Sequence, residues 1–222
     1  RRAPVVACYM LMGCSDMEAL MIACRLLLKT VAPIFLLATI LISTAPVLAA
    51  EIEPKVGDDG MYTQAWFKHT SFLDLADDLA EASESGKHLA VLFEQKGCPY
   101  CREMHRVNFE NADIREYIKK TFDVVQLNLW GDQEVTDFDG QVLSEKDFAR
   151  KYRVMFTPTI LFIDEKGKEV VRMPGYFKPF HFKHIFVYAA EKGYVKEPSF
   201  QRWLSAKAEE LRAQGKSVNL WD

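Results

Sequence analysis

Apolar positions along this chain recur with two different periods, and the switches between them mark out its elements. From Ser71 to Gly86, apolar Phe72, Leu75, Ala76, Leu79 and Ala80 fall three and four apart. That spacing predicts an amphipathic helix opened by a Ser71-x-x-Asp74 capping box. Leu89-Ala90-Val91-Leu92-Phe93 is then a continuous apolar run between polar Lys87-His88 and Gly97, the pattern of a strand buried on both faces. Cys98-Pro99-Tyr100-Cys101 follows at once, and Arg102-Glu103-Met104-His105-Arg106 has helix-forming composition. The two cysteines are therefore predicted on a strand-to-helix turn, at a helix N-terminus. Asn111 can cap a further helical stretch through Ile114, Tyr117 and Ile118, and Asp123 to Leu129 reads as a second strand. Trp130 to Gly140 is polar and reads as a loop. Ser144-x-x-Asp147 opens a helix with Phe148, Ala149 and Tyr152 inward. Thr157-Pro158 precedes an apolar strand, Thr159 to Ile163, at a place where a proline removes no ladder bond. Asp164 to Lys168 is a hairpin turn into the strand Glu169 to Arg172, which Pro174-Gly175-Tyr176 ends. Helices over about 179–193 and 198–215 finish the chain, the second with Phe200, Trp203, Leu204, Ala208 and Leu211 on one face, a stripe read as core packing. Helices and strands in this order predict one α/β domain.

The first fifty residues follow a different logic. Basic Arg25 and Lys29, the apolar run Val31 to Ile42 and the small-residue end Val47-Leu48-Ala49-Ala50 read as a secretory signal peptide cleaved near Ala49 or Ala50. The run is shorter than the ~20 residues a spanning helix needs, so no stable membrane span is expected after cleavage, with an uncleaved anchor as the alternative. Arg1 is not an initiator, so residues 1–20 read as translated upstream sequence. An exported chain of this kind is expected in the periplasm. The composition, 49% hydrophobic and 27% charged, is that of a globular protein, and a net charge of −3 gives no support to a nucleic-acid partner.

Of the five cysteines, Cys8, Cys14 and Cys24 lie in this leader, so the mature chain keeps only Cys98 and Cys101. Oxidising compartments let disulfides persist. Bracing is a poor use for so close a pair: a four-residue loop restrains the unfolded chain by roughly 2 kcal/mol, against about 4.7 for a hundred-residue loop. Redox chemistry suits it better, because the thiolate is the reactive form and the N–H groups of a helix N-terminus stabilise it. A zinc site built from Cys98, Cys101 and His105 would be one ligand short of the usual four. Arg102 stands where haem attachment needs histidine. Neither a metal nor a cofactor is therefore expected for the redox reading. A copper chaperone, using the soft thiolates with His105 or His184, is the rival outside redox chemistry. His69, His88, His181 and His184 are scattered and default to surface or packing roles.

Gly97-Cys98-Pro99-Tyr100-Cys101 after a buried strand, Thr157-Pro158-Thr159 before another, and Gly167 followed by Pro174-Gly175-Tyr176 together resemble the thioredoxin fold, a central mixed β-sheet flanked by helices. Phe93 to Cys101 and Asn128-Leu129-Trp130-Gly131-Asp132 resemble more narrowly the exported SoxW-like thioredoxins of bacterial sulfur-oxidation clusters. The domain organisation expected is upstream sequence and signal peptide over 1–50, an irregular lead-in over 51–69, a thioredoxin-like domain over 70–193 and a helical C-terminal extension over 194–222. The resemblance implies a thiol–disulfide oxidoreductase in which Cys98 is the nucleophile and Cys101 the resolving thiol, with Pro99 and Tyr100 between them. It implies a cis Pro158 facing the dithiol, with Thr157 offering backbone groups to a bound peptide. Many thioredoxins carry a buried acid six residues before the first cysteine; Leu92 stands there, and Glu94, on the same strand face, is the candidate substitute. The Pro-Tyr insert resembles glutaredoxins, whose potentials lie about 40 to 70 mV above that of thioredoxin. The implied partners are a disulfide-bearing periplasmic protein and a membrane thiol transporter as electron donor, for work in sulfur oxidation or cytochrome maturation. A disulfide oxidase or isomerase is the alternative within redox chemistry. The polar loop around Asp132 to Gly140, longer than in a minimal thioredoxin, is read either as a recognition loop or as a solvated insertion.

Overall fold

The computed structural model describes residues 53–69 and 71–220; the expected leader over 1–50 lies outside the described residues. In chain order the elements are α1 (Leu75–Glu84), β1 (His88–Glu94), α2 (Pro99–Glu103) running on into a π-helical segment (Met104–Phe109), α3 (Ala112–Thr121) and β2 (Phe122–Asn128). A short ribbon of β3 (Glu134–Thr136) and β4 (Val142–Ser144) follows, then α4 (Glu145–Lys151), β5 (Thr159–Ile163) and β6 (Glu169–Pro174). Helices α5 (Pro179–Ala190), α6 (Gly193–Lys196) and α7 (Phe200–Ala213) complete the chain.

The apolar run of β1 sits where double burial requires, inside a four-stranded sheet of order β2-β1-β5-β6. It pairs in parallel with β2, Glu94 opposite Asn128, and antiparallel with β5, Phe93 opposite Thr159; β6 then pairs antiparallel with β5. Period-two alternation splits β1 between two cores. Ala90 and Leu92 join Val124, Ile160 and Phe162 against Met104, Phe109, Ile118, Phe182 and Phe186 from the helices of one side. Leu89, Val91 and Phe93 join Val125, Leu127 and Leu161 against Leu75 of α1 and Phe148 of α4 on the other. The stripe on α7 packs as expected: Leu204 and Ala208 are buried, and Phe200 and Trp203 lie against Tyr188 of α5 at ring-centroid separations of 5.4 and 5.1 Å.

Two expectations need correction. Helix α1 begins not at Ser71 but after Asp74, whose carboxylate accepts the Ala76 and Asp77 N–H groups at 3.1 and 3.2 Å. Leu73 has φ +59°, which no right-handed helix allows. Phe72 is consequently thrown outward, 99% exposed, while Ser71 donates to Asp78 at 2.5 Å. The inward face is Leu75, Asp78 and Ala82, and Ala76 and Ala80 face solvent. Second, the polar loop after Trp130 contains the β3–β4 ribbon, Glu134 opposite Ser144. Val135 is buried and Leu143 packs beside it, but with three residues in each strand the alternation is too short for periodicity to reveal. The irregular lead-in also contributes to the core: Met61 and Phe67 are buried, Phe67 in the same cluster as Leu92.

Candidate active site

Glu94 ends β1, and the chain must turn within four residues to enter α2. Gly97, at φ +72°, supplies the left-handed step that a side-chain-bearing residue adopts at a cost. Cys98 then takes an extended conformation as the N-cap, and Pro99 stands at the first helical position, where its missing N–H is no loss. A cap normally offers an oxygen to the first helical N–H groups. Here the cap atom is sulfur: Cys98 Sγ accepts the Cys101 N–H at 3.0 Å. The two cysteines are joined as a disulfide with Cα atoms 5.2 Å apart. Both cysteines are buried, and Cys98, with 3% of its surface left against none for Cys101, is the one that still meets solvent.

The opposite wall comes from the loop into β5. The Thr157–Pro158 peptide is cis. Thr157 donates its hydroxyl to Cys98 Sγ at 3.3 Å, and the Pro158 carbonyl accepts the Gly175 N–H at 2.8 Å, tying the loop to the end of β6. The sequence reading gave Thr157 a backbone role; the structure brings its side chain to the sulfur as well.

Exposed apolar side chains come from three segments at this corner. Tyr100 lies within the motif, and Met155 and Phe156 precede Thr157; all three are more than half exposed. Trp130 is 66% exposed yet held, its indole N–H donating to Gln95 at 2.8 Å, three residues before Cys98. Periodicity passed over Trp130, which entered the sequence reading only within the Asn128-Leu129-Trp130-Gly131-Asp132 resemblance.

The turn that carries Trp130 is pinned by Glu145. This side chain is buried at the start of α4 and accepts the Asn128 N–H at 2.8 Å. A Cβ at Gly131 would run into its carboxylate, so glycine is required there for space. Burial pushes the Glu145 carboxyl above its usual range, against the lowering effect of backbone N–H groups. Nearby cations are matched: Arg102 and Arg106 pair with Glu53 and Glu103, and the Arg102 hydrogen bond lowers the Glu53 carboxyl below its ordinary value.

Glu94, the candidate for the buried acid, stands at a strand end, where a carboxylate is normally solvated, yet is fully buried. It follows Ala90 and Leu92 onto the β1 face that packs under the helical run 99–109. Its carboxylate meets His105 Nε2 at 3.1 and 3.2 Å and accepts Gln126 Nε2. His105 is thereby engaged, and His184, the other histidine considered for a metal, donates Nδ1–H to the Phe180 carbonyl at 2.7 Å. A separate hollow of about 210 Å³ lies along the β2 edge, lined by Lys68, His69, Gln126 and Glu145 among others, and neither cysteine reaches it.

A family model described as a thioredoxin-like domain matches residues 75–190. The thiol:disulfide interchange protein DsbD of Colwellia psychrerythraea is 27% identical over 123 residues, which cover 53% of this chain but only 19% of that protein. Among solved structures, a thioredoxin-fold protein from Helicobacter pylori is 26% identical, with a TM-score of 0.46 over 55% of this chain and 81% of that one. The reduced C-terminal domain of DsbD from Neisseria meningitidis is 15% identical, with a TM-score of 0.40 over 55% and 96%.

The raised Glu145 carboxyl has a consequence for stability. The folded state holds the Glu145 proton more tightly than the unfolded chain, so it binds more protons in the window above 4.5, the ordinary value. The contribution is therefore greatest below that value and declines as pH rises through the folded one. Urea midpoints of native protein minus Glu145→Gln are expected to fall from pH 4 to pH 7; a flat or rising difference contradicts the assignment.

Proposed function

The chain belongs to the thioredoxin-like domain family, and we propose that within it this protein is a thiol–disulfide oxidoreductase working through the Cys98/Cys101 dithiol. The observation that carries this reading is the convergence of the Cys101 N–H and the Thr157 hydroxyl on Cys98 Sγ. Two donors aimed at one sulfur favour its thiolate over its thiol. Cys98, the less buried of the two and the one that receives both donors, is then the nucleophile that attacks a partner disulfide. Cys101, held one helical turn away, displaces the partner from the mixed disulfide. Pro99 and Tyr100 shape the turn, Thr157 and cis Pro158 form the wall along which the partner chain lies, and Glu94 takes up the proton of the resolving thiol.

The direction proposed is reduction of disulfides in exported partners, in sulfur oxidation or cytochrome maturation as the SoxW-like motifs imply. A dithiol in an oxidising compartment drifts to the disulfide unless electrons are supplied. A membrane thiol transporter is the donor this requires, and the partial likeness to a thiol:disulfide interchange protein supports that arrangement. The leader over 1–50 is taken as the export signal; among the described residues no helix is long and apolar enough to cross a membrane. The copper-chaperone reading is less well supported. His105 is spent on Glu94, and His184 lines a hollow with Asp113, Phe180 and Lys183 that neither cysteine joins.

Cys98→Ser is expected to abolish insulin reduction, and Cys101→Ser to accumulate a mixed disulfide visible on non-reducing gels; trapping by Cys98→Ser instead would reverse the two roles. The redox potential is expected between about −270 and −200 mV, the range of thioredoxins and glutaredoxins, and a value near −120 mV would make the protein an oxidant. Trp130→Ala is expected to raise KM for a protein disulfide roughly tenfold, as loss of a tryptophan anchor does, with reduction of oxidised glutathione unchanged. Equal loss on both substrates would remove Trp130 from partner recognition.

A further inference from the structure

The buried carboxylate of Glu94 does not stand alone, and its surroundings assign work to a residue outside the motif. His105 lies four residues after Cys101 on the same helical run, a separation that stacks side chains on one face. Both residues are fully buried. The imidazole is a bridge: Nε2 faces Glu94 at 3.1 Å, and Nδ1 meets the Gln64 side-chain amide of the lead-in at 3.4 Å. An amide N–H at Nδ1 leaves the ring's own N–H on Nε2, aimed at the carboxylate.

Apolar rings enclose the imidazole: Tyr62, Phe67 and Phe109 have centroids 5.9, 5.7 and 5.0 Å away. Glu94 faces the ring directly, and Glu110 stands one step away, where Gln64 Nε2 contacts it at 3.3 Å. Gln126 is the second donor to Glu94, and its amide also donates to the Tyr62 carbonyl at 2.6 Å. Gln126 further lines the polar hollow at the β2 edge, so the network ends toward solvent on that side. The segment Met104–Phe109, where this happens, is π-helical, a distortion found frequently at functional sites.

We propose that His105 is a positioning residue for the resolving step: by holding the Glu94 carboxylate, it fixes a proton acceptor on the β1 face that packs under the helical run carrying Cys101. The proposal rests on the reading of the dithiol as an exchange pair. In the step, the Cys101 thiol proton passes to a Glu94 carboxylate oxygen. The Cys101 sulfur attacks Cys98 Sγ of the mixed disulfide. The Cys98–Cys101 bond forms and the bond from Cys98 to the partner sulfur breaks. The partner leaves as a thiolate that takes a proton from water, and two electrons have moved from the dithiol to the partner. Without His105 the carboxylate keeps only Gln126 as a donor and is free to turn from the thiol.

Reduced full-length protein mixed with 5,5′-dithiobis(2-nitrobenzoate) separates the two steps, because attack by Cys98 and resolution by Cys101 each release one coloured thiolate. Glu94→Gln and His105→Leu are expected to slow the second release by about 10²-fold near neutral pH, the scale of a lost proton-transfer group. The first release stays unchanged, and the deficit shrinks as rising pH ionises Cys101 without help. His105→Gln, whose amide can reach Glu94 but cannot titrate, is expected to restore most of the rate. Where the leucine variant does not fold, His105→Asn, whose amide stops short, replaces it and is expected to be slow as well. A folded leucine or asparagine variant with native second release, or one that slows both releases equally, overturns the proposal. A native protein whose first release matches that of Cys98→Ser would instead overturn the dithiol reading itself.

Discussion

The burial of β1 on both faces is the constraint on which the active corner depends. A strand with Leu89, Val91 and Phe93 packed one way and Ala90 and Leu92 the other cannot lie at an edge, and both of its ladders are taken by β2 and β5. Its end is therefore a fixed point. Glu94 has its carbonyl on the Leu129 N–H, and the antiparallel partner β5 begins at Thr159, opposite Phe93. The strand that delivers Cys98 and the loop that delivers Thr157 are thus adjacent by register. Their sequence separation of 59 costs nothing further once the sheet forms.

At that corner the polar contacts are few and each has one geometric source. The helix start gives the Cys101 N–H to the sulfur, and the cis turn gives the Thr157 hydroxyl. Strand alternation puts Glu94 on the face under the helix, where a carboxylate must find donors because water is excluded. His105 and Gln126 are those donors, one from the helix and one from the neighbouring strand. The chemistry of the dithiol is in this way coupled to the core beneath it.

Two segments outside the minimal α/β layout complete the corner. The lead-in closes the underside, with Gln64 on His105 and the Tyr62 carbonyl on Gln126. The stretch after β2 carries Trp130 to the rim, held by Gln95 and by the Glu145 clamp on Asn128. Both are polar in composition, and both owe their order to buried contacts with the sheet rather than to any propensity of their own.

Local rules were enough for what one element decides alone. The unbroken apolar run announced β1, Asn111 and Ser144 announced their helices as caps, and the C-x-x-C pair announced its own turn at a helix start. The cis bond and its place against the dithiol were legible only through resemblance, since most X-Pro bonds are trans and spacing alone does not reveal an isomer. Where two segments had to meet, the sequence was silent or misleading. Ser71-x-x-Asp74 matches a capping box as well as Asp74 does a simple cap, and the left-handed turn at Leu73 chose between them. Two three-residue strands could not show themselves by alternation, and a glutamate at a strand end reads as solvated until His105 and Gln126 enclose it. The hydrophobic pattern thus determined the sheet and the position of the sulfurs, because burial and helix capping act within a few residues. Tertiary structure alone decided that Glu94 is buried, that His105 and Gln64 attend it, and that Trp130 stands at the rim, because those are contacts between residues far apart in the chain.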